Sequence, residues 1–230
     1  MVKSHLKRIS TPRTWDVRRK ISKFISRPLP GGHSFDTAMS VNTALKEVLG
    51  LARTTKEVKF MLHNKQVHKD GKPMYDEKAQ VGLMDVLSFP ALNKQYRLIL
   101  NARAKLDLLE ISTKEANLKP LRVKSKVMLR GKKIQVGLSD GRTLLLGKET
   151  VKVGDTMLIT VPDQKVQEVL PFEQNAAILL TAGRYAGRIG TIVKIEEEMI
   201  RFKHGNDEYE TATSFAHVVG KAGKTSVKLE

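Results

Sequence analysis

Positive charge is concentrated at the start of the chain, and this limits what that segment can fold into. Residues 1–30 carry nine basic side chains, three prolines and a single acid, Asp16. Such a segment cannot bury enough apolar surface to form a core of its own, and its charges repel one another. We therefore predict that residues 1–32 are flexible in the free protein and become ordered only along a polyanion.

The composition of the whole chain indicates which polyanion this is. The 230 residues have a net charge of +17 and a pI of about 10.0, which is typical of proteins that bind nucleic acid. The chain has no cysteine, which excludes disulfides and thiolate metal sites and suits a reducing compartment. The sequence shows no apolar run of signal or membrane length, so we expect a soluble, cytoplasmic protein without a membrane partner.

RNA contact is favoured over simple solvation for the basic extension. Trp15 is the only tryptophan of the chain and stands among arginines, so we predict that its ring stacks on a base or fills a groove. Cationic side chains ordered along phosphates would release counterions. The RNA-binding residues predicted here are Lys3, His5, Lys7, Arg8, Arg13, Trp15, Arg18, Arg19, Lys20, Lys23 and Arg27.

The next segment, residues 41–101, has the pattern of two short helices followed by a hairpin and further strands. Apolar residues recur with helical spacing up to Gly50, a natural helix stop, and Thr54 with Glu57 forms a capping-box pattern before a second helix. The turn Asp70-Gly71 then predicts a tight hairpin. Its second strand contains a proline and should lie at a sheet edge.

The stretch LARTTKEVKFMLHNKQVHKDGK resembles the small helix and hairpin module that occurs in ribosomal small-subunit protein four, pseudouridine synthases and tyrosyl-tRNA synthetases. The resemblance implies binding of structured RNA by shape, in either an enzyme or a non-enzyme. For any one lysine, an ordinary solvated surface position is the alternative. The group predicted to contact RNA is Arg53, Lys56, Lys59, Lys65, Lys69 and Lys72.

Residues 102–170 have the pattern of a small, basic β-domain. Residues 119–133 hold seven basic side chains and no acid, and Asp140-Gly141 marks the tip of a predicted hairpin. Apolar and basic residues alternate, so one face should pack and the other should carry charge. We predict RNA contacts for Arg122, Lys124 and Lys126, although the same pattern would also serve solubility alone.

The sequence TAGRYAGRIGTIVKIEE, residues 181–197, contains three glycines before a strand-like run. A nucleotide-binding loop would need a Lys-Ser/Thr pair and a following helix, and neither is present. Gly183 and Gly187 are predicted to take positive φ angles, and Gly190 is predicted to admit a neighbouring backbone. The spacing resembles the KOW motif of SH3-like barrels, which places Arg184, Tyr185 and Arg188 on an RNA-facing loop. A glycine-rich hairpin in any barrel is the alternative.

The order of these segments resembles the archaeal and eukaryotic e-type ribosomal small-subunit protein four family over essentially the whole chain. The resemblance implies an α+β, multidomain protein that binds and stabilises small-subunit ribosomal RNA beside neighbouring ribosomal proteins. The predicted divisions are a basic extension (1–40), a helical RNA-binding module (41–101), a central β-domain (102–170) and a KOW SH3-like barrel with the C-terminal tail (171–230). No catalysis, cofactor or small-molecule substrate is implied.

Two other functions remain open from the residues alone. An RNA-modifying enzyme could carry the same helical module, and a transcription elongation factor could use the KOW barrel. The six histidines are dispersed without a metal-binding pair at helical spacing, and no nucleophile motif appears. We therefore predict no catalytic residue and no metal ligand.

Overall fold

The structure, a computed structural model, describes residues 5–146 and 151–229. The residues of the chain group into two compact units, each of which makes most of its contacts within itself. The first unit extends to Asn101 and also includes Lys105–Asn117, whereas the second contains Ala102–Ala104 and the chain from Leu118 onward. Strands dominate the described parts of both units and helices are few, so the multidomain part of the expected α+β fold is confirmed and the fold is β-rich.

The first unit is built on small antiparallel sheets. Its elements are β1 (Leu6–Lys7), β2 (Phe24–Ile25), β3 (Ala38–Ser40), α1 (Val41–Thr43, continued by a π-helical segment Ala44–Val48), α2 (Thr55–His63), β4 (His68–Lys69), β5 (Lys72–Pro73), β6 (Gln80–Gly82), β7 (Val86–Phe89), β8 (Lys94–Leu100), β9 (Leu106–Glu110) and α3 (Thr113–Ala116). β1 pairs with β2 and β3 with β6, while a five-stranded sheet has the order β5-β4-β7-β8-β9.

Both helices predicted in this unit are present, and local chemistry sets their ends. The Ser40 hydroxyl caps α1 by accepting from the Thr43 amide at 3.2 Å. The Thr54 hydroxyl caps α2 by accepting from the Glu57 amide, also at 3.2 Å. Gly50 has a φ of 65°, as expected of a glycine that ends a helix.

The predicted hairpin is also confirmed. Asp70 and Gly71 have φ angles of 49° and 78°, which is the backbone of a two-residue turn with both central residues left-handed. The turn brings Lys69 opposite Lys72. Because Pro73 has no amide proton to donate, β5 lies at the edge of the sheet, as predicted.

An apolar anchor holds the basic extension to this unit. Trp15 is only 1% exposed, its indole Nε1 donates to the Ala38 carbonyl at 2.9 Å, and its ring packs against Phe35 with centroids 5.5 Å apart. The Leu106 amide donates to the Thr14 carbonyl at 2.6 Å. The flexibility predicted for residues 1–32 assumed that the segment lacks apolar contacts, and that assumption is wrong for the described part of the segment.

The first unit continues beyond the boundary that the sequence suggested after residue 101. β9 pairs along its whole length with β8, and Leu106 on β9 is fully buried. α3 follows, with its Ala116 buried beside Val86 and Ile111. A change of charge marks this boundary in the sequence, because residues 106–117 hold three acids and one lysine whereas residues 119–133 hold seven basic side chains and no acid.

The described part of the second unit contains two antiparallel sheets. Its strands are β10 (Leu118–Met128), β11 (Ile134–Leu138), β12 (Thr143–Leu146), β13 (Thr156–Thr160), β14 (Val166–Leu170), β15 (Ala177–Leu180), β16 (Ile189–Ile195), β17 (Met199–His204), β18 (Asp207–Ala212), β19 (Ala216–Lys221) and β20 (Lys224–Thr225). One sheet has the order β12-β11-β10-β13-β14, and the other has the order β18-β17-β16-β15-β19-β20.

The alternation predicted for the central strands is present in β10. Leu121 and Val123 are buried and pack in one apolar cluster with Val136 and Met157, while Lys124 is exposed. The hairpin between β11 and β12 turns at Asp140-Gly141, where Gly141 has a φ of 85°. The strands proposed from the sequence on either side of that turn are therefore confirmed.

Candidate nucleic-acid interface

The turn between β15 and β16 has the backbone predicted for its glycines. Gly183 and Gly187 have φ angles of 83° and 84°, and the Gly187 amide donates to the Leu180 carbonyl at 2.7 Å. A Cβ atom at Gly190 would lie 2.8 Å from the Lys203 carbonyl and 2.7 Å from the Phe202 ring. The close approach predicted at Gly190 is thus present, and β17 makes it.

This turn places two guanidinium groups against one aromatic ring. The Arg184 and Arg188 guanidinium carbons lie 5.8 and 5.5 Å from the centre of the Tyr185 ring. Tyr185 itself packs on Tyr209 and Phe202, with centroid distances of 4.7 and 5.7 Å. The Tyr185 ring therefore supports two cations, and any RNA contact of Tyr185 on the predicted RNA-facing loop would have to compete with these contacts.

Sequence reasoning did not identify the other two members of this aromatic group. Phe202 and Tyr209 are directly paired across β17 and β18. Cross-strand aromatic pairs stabilise antiparallel sheets. The pair could have been found from the alternation of apolar and polar residues along β17 and β18. That step would have required identifying the turn after residue 204.

Some basic side chains of the extension are exposed to solvent, and others bind groups within the protein. Arg8 is buried, and its Nη2 atom lies 2.5 Å from the Glu47 carboxylate, so its predicted RNA contact is corrected to an internal ion pair. Arg19 and Arg27 are half-buried, and Lys3 lies outside the described residues. The exposed members of the predicted set are His5, Lys7, Arg13, Arg18, Lys20 and Lys23.

Trp15 does not belong to this surface. Its ring is enclosed by the first unit, because the chain from residue 35 to residue 38 covers it and supplies a carbonyl for its indole N–H. The prediction that Trp15 stacks on RNA is therefore wrong.

The helical segment keeps most of its predicted cations in solvent. The Lys69 ammonium is the exception, because it lies 2.5 Å from the fully buried Asp85 carboxylate and also donates to the Gln80 carbonyl at 2.8 Å. Lys59 is exposed but lies 3.4 Å from Glu77. The exposed cations of this segment are Arg53, Lys56, Lys59, Lys65 and Lys72.

The three RNA contacts predicted in the central sheet have different environments. Arg122 binds groups within the protein, whereas Lys124 and Lys126 are exposed. The Arg122 guanidinium donates to the carbonyl of Thr213 at 3.3 Å and also to that of Ser214, and burial lowers its pKa. Its predicted RNA role is corrected to holding the turn before β19. Lys124 and Lys126 are exposed, although the Lys126 ammonium also donates to the Val151 carbonyl at 2.8 Å.

Comparisons with known proteins identify the family. The model of the Ribosomal family S4e matches residues 92–166, and that of the RS4NT domain matches residues 2–36. The small ribosomal subunit protein eS4 of Nanoarchaeum equitans is 41% identical over 84% of this chain and 83% of its own. The protein of the same name from Methanocella arvoryzae is 32% identical over 96% of both chains. The chain belongs to the S4e family of ribosomal proteins.

A solved S4e structure has the same fold. The 30S ribosomal protein S4e from Thermoplasma acidophilum matches with a TM-score of 0.72 and 30% identity, covering 83% of this chain and 98% of that one. The family resemblance inferred from the order of motifs is thus confirmed. The RS4NT match, residues 2–36, contains Trp15, and the buried position of this side chain gives that segment of the S4e chain a structural role.

His217 is one of the buried titratable groups in the second unit of this S4e chain. Burial lowers the pKa of His217 to about 3, and the nearby Arg122 charge adds to the effect. His217 therefore stays neutral in the folded protein at neutral pH. Among residues 5–146 and 151–229, no three His, Asp or Glu side chains form a metal-binding group. No described helix has the length and hydropathy of a membrane span.

The lowered pKa of His217 predicts acid sensitivity of the second unit. In the unfolded chain the histidine pKa is 6.5, so His217 binds a proton as the pH falls below 6.5. In the folded chain it binds that proton only near pH 3. The free energy of unfolding therefore decreases as the pH falls from 6.5 toward 3. The expected loss from this group is on the order of 1 kcal/mol per pH unit. Chemical denaturation of the wild type and of His217→Leu at pH 7, 5.5 and 4.5, followed by hydrogen exchange of the second unit, measures the difference.

The leucine variant keeps an apolar side chain in the site and removes the titration. Its stability should therefore decline less steeply with acid than that of the wild type, whose carboxylates contribute equally to both curves. Parallel curves for the two proteins would show that His217 does not control this response.

Proposed function

We propose that this chain is a structural constituent of the small ribosomal subunit that binds small-subunit ribosomal RNA and stabilises its folded form. The observation that carries the proposal is the large set of exposed cationic side chains on an S4e chain with a net charge of +17. Phosphate contacts supply most of the affinity of such surfaces for RNA. A cytoplasmic, ribosome-bound location beside neighbouring ribosomal proteins follows from this role, which requires neither catalysis nor a cofactor.

The surface proposed to meet RNA consists of the predicted cations that the structure leaves exposed; two of them, Lys59 and Lys126, also contact Glu77 and the Val151 carbonyl. Arg8, Lys69 and Arg122 are left out because they bind the protein itself. The remaining set is His5, Lys7, Arg13, Arg18, Lys20, Lys23, Arg53, Lys56, Lys59, Lys65, Lys72, Lys124, Lys126 and Arg184, with Arg19, Arg27 and Arg188 as half-buried members. Arg19 also donates to the carbonyls of Ile9 and Pro12.

We also propose how the RNA-binding parts are divided along the chain. An extension (1–40) precedes a helical RNA-binding module that begins at residue 41 and includes β9 and α3. A central β-domain follows from residue 118 to 170, and a KOW-type domain occupies residues 171–230. The capped α2 with its hairpin supports the module, and the two positive-φ glycines at Gly183 and Gly187 support the KOW assignment.

The proposed function predicts a steep dependence of RNA affinity on salt. Each phosphate neutralised contributes roughly −0.7 to −0.9 to the slope of log K against log salt, so six contacts alone would give roughly −4 to −5. Filter binding of the full chain to small-subunit ribosomal RNA across a range of KCl concentrations measures this slope.

Two results would contradict the proposal. One is a slope near zero with folded small-subunit ribosomal RNA. The other is a failure of the protein to sediment with small subunits when cell extracts are fractionated at low salt. The variant Arg8→Gln is a useful comparison, because its charge is used internally and its loss should leave the slope unchanged.

A further inference from the structure

An open apolar groove lies beside α2 in the first unit. Leu51, Phe60 and Met61 supply its apolar lining, and its volume is about 510 Å³. Phe60 is 66% exposed and Leu51 is 39% exposed. A single exposed apolar side chain is ordinary on a protein surface, but here several share one concave site.

The position of Phe60 on its helix turns the ring away from the core. Val58 and Leu62, the buried residues of α2, face inward. Lys56 lies four residues before Phe60 and His63 three residues after it, so these three side chains share the outer face of the helix. Within the described residues no other ring packs on Phe60, in contrast to Tyr185, whose ring is covered by its neighbours.

The groove lining holds one cation and one acid, and two further cations lie close to it along the chain. Lys56 lines it, and Arg53 and Lys65 are exposed on the same segment. The acid on its rim, Glu57, is turned to the helix start, where its carboxylate accepts from the Arg53 amide at 2.8 Å and from the Thr54 hydroxyl at 2.9 Å. An apolar site among cations fits a partner that combines flat rings with negative charge.

We infer that Phe60 is a stacking platform for an unpaired nucleobase of small-subunit ribosomal RNA, with Lys56 placed to meet the adjoining phosphate. The inference rests on the proposed function and deepens it by naming a base contact. Stacking of a base on an aromatic side chain tolerates any base identity, since every base has a π-face. RNA binding through phosphate contacts alone would not involve the exposed Phe60 ring.

The test compares Phe60→Leu with Phe60→Trp in the full chain, using filter binding to small-subunit ribosomal RNA. Leucine keeps the apolar contact but removes the flat ring, so affinity should fall about tenfold, which corresponds to about 1.4 kcal/mol and lies within the range for one stacked base. Tryptophan keeps a flat ring and should bind at least as tightly as the wild type. The salt slope should be the same for all three proteins, because no cation is lost, whereas Lys56→Ala should reduce it by about 0.7 to 0.9.

The tryptophan variant also reports the contact directly. Trp15 is buried, so the added indole at position 60 supplies the solvent-exposed emission, which ribosomal RNA should quench and shield from acrylamide. Wild-type affinity in Phe60→Leu, or an unquenched and accessible indole in the bound complex, would overturn the inference while leaving the proposed function intact. Protection that appears only in assembled subunits, and not with RNA alone, would assign the groove to a protein neighbour and would equally overturn it. Failure of the wild type itself to bind RNA would instead refute the proposed function.

Discussion

Replacing Trp15 with alanine is expected to destabilise the first unit by about 3–5 kcal/mol, the usual cost of removing a buried tryptophan side chain. The side chain is 1% exposed and joins the extension to Phe35 and to the Ala38 carbonyl. Its loss would leave a cavity and an unbonded carbonyl. Urea denaturation followed by hydrogen exchange should show lost protection of the Leu106 amide, which donates to the Thr14 carbonyl.

Trp15→Phe is the matched control. It keeps a ring in the site but removes the indole N–H, so it should cost less, about 1 to 3 kcal/mol for a buried acceptor left without its donor. Wild-type stability in Trp15→Ala, combined with a marked loss of RNA affinity, would restore the stacking role that the sequence suggested and contradict the structural one.

Replacing Gly187 with valine is expected to disturb both the fold of the second unit and its RNA binding. Gly187 has a φ of 84°, a conformation that is highly unfavourable for a β-branched residue. The strain should cost about 1–3 kcal/mol and displace the amide that donates to the Leu180 carbonyl. Gly187→Asn should be milder, because asparagine tolerates the left-handed region. Thermal unfolding and filter binding of both variants test this.

The double variant Arg184→Ala, Arg188→Ala tests whether the same turn contacts RNA, because it removes the two cations and leaves the glycine backbone of the turn unchanged. Both guanidinium groups lie over Tyr185, and exposed interactions of this kind contribute only about 0.5–1 kcal/mol each. The melting temperature should therefore change little, while two lost phosphate contacts should reduce the salt slope by about 1.4 to 1.8. Unchanged affinity and slope would show that the turn is only a hairpin and that RNA binds elsewhere.

Features that depend on neighbouring residues were predictable from the sequence. The Thr54 cap, the Asp70-Gly71 hairpin and the left-handed glycines at Gly183 and Gly187 all form as expected. Each is decided within a few residues, because a hydroxyl reaches the nearest free amide and only certain residues tolerate a positive φ. The order of such features along the chain also sufficed to indicate the S4e family.

Which basic and aromatic side chains remain available for RNA was decided only by the tertiary structure. Arg8 meets Glu47, which is 39 residues away along the chain, and Arg122 meets a carbonyl 91 residues away. Trp15 is enclosed by a segment that begins 20 residues later, whereas Phe60 remains open on a helix whose apolar face is already filled. Sequence determines the charge and shape of each side chain, but burial depends on which distant part of the chain covers it.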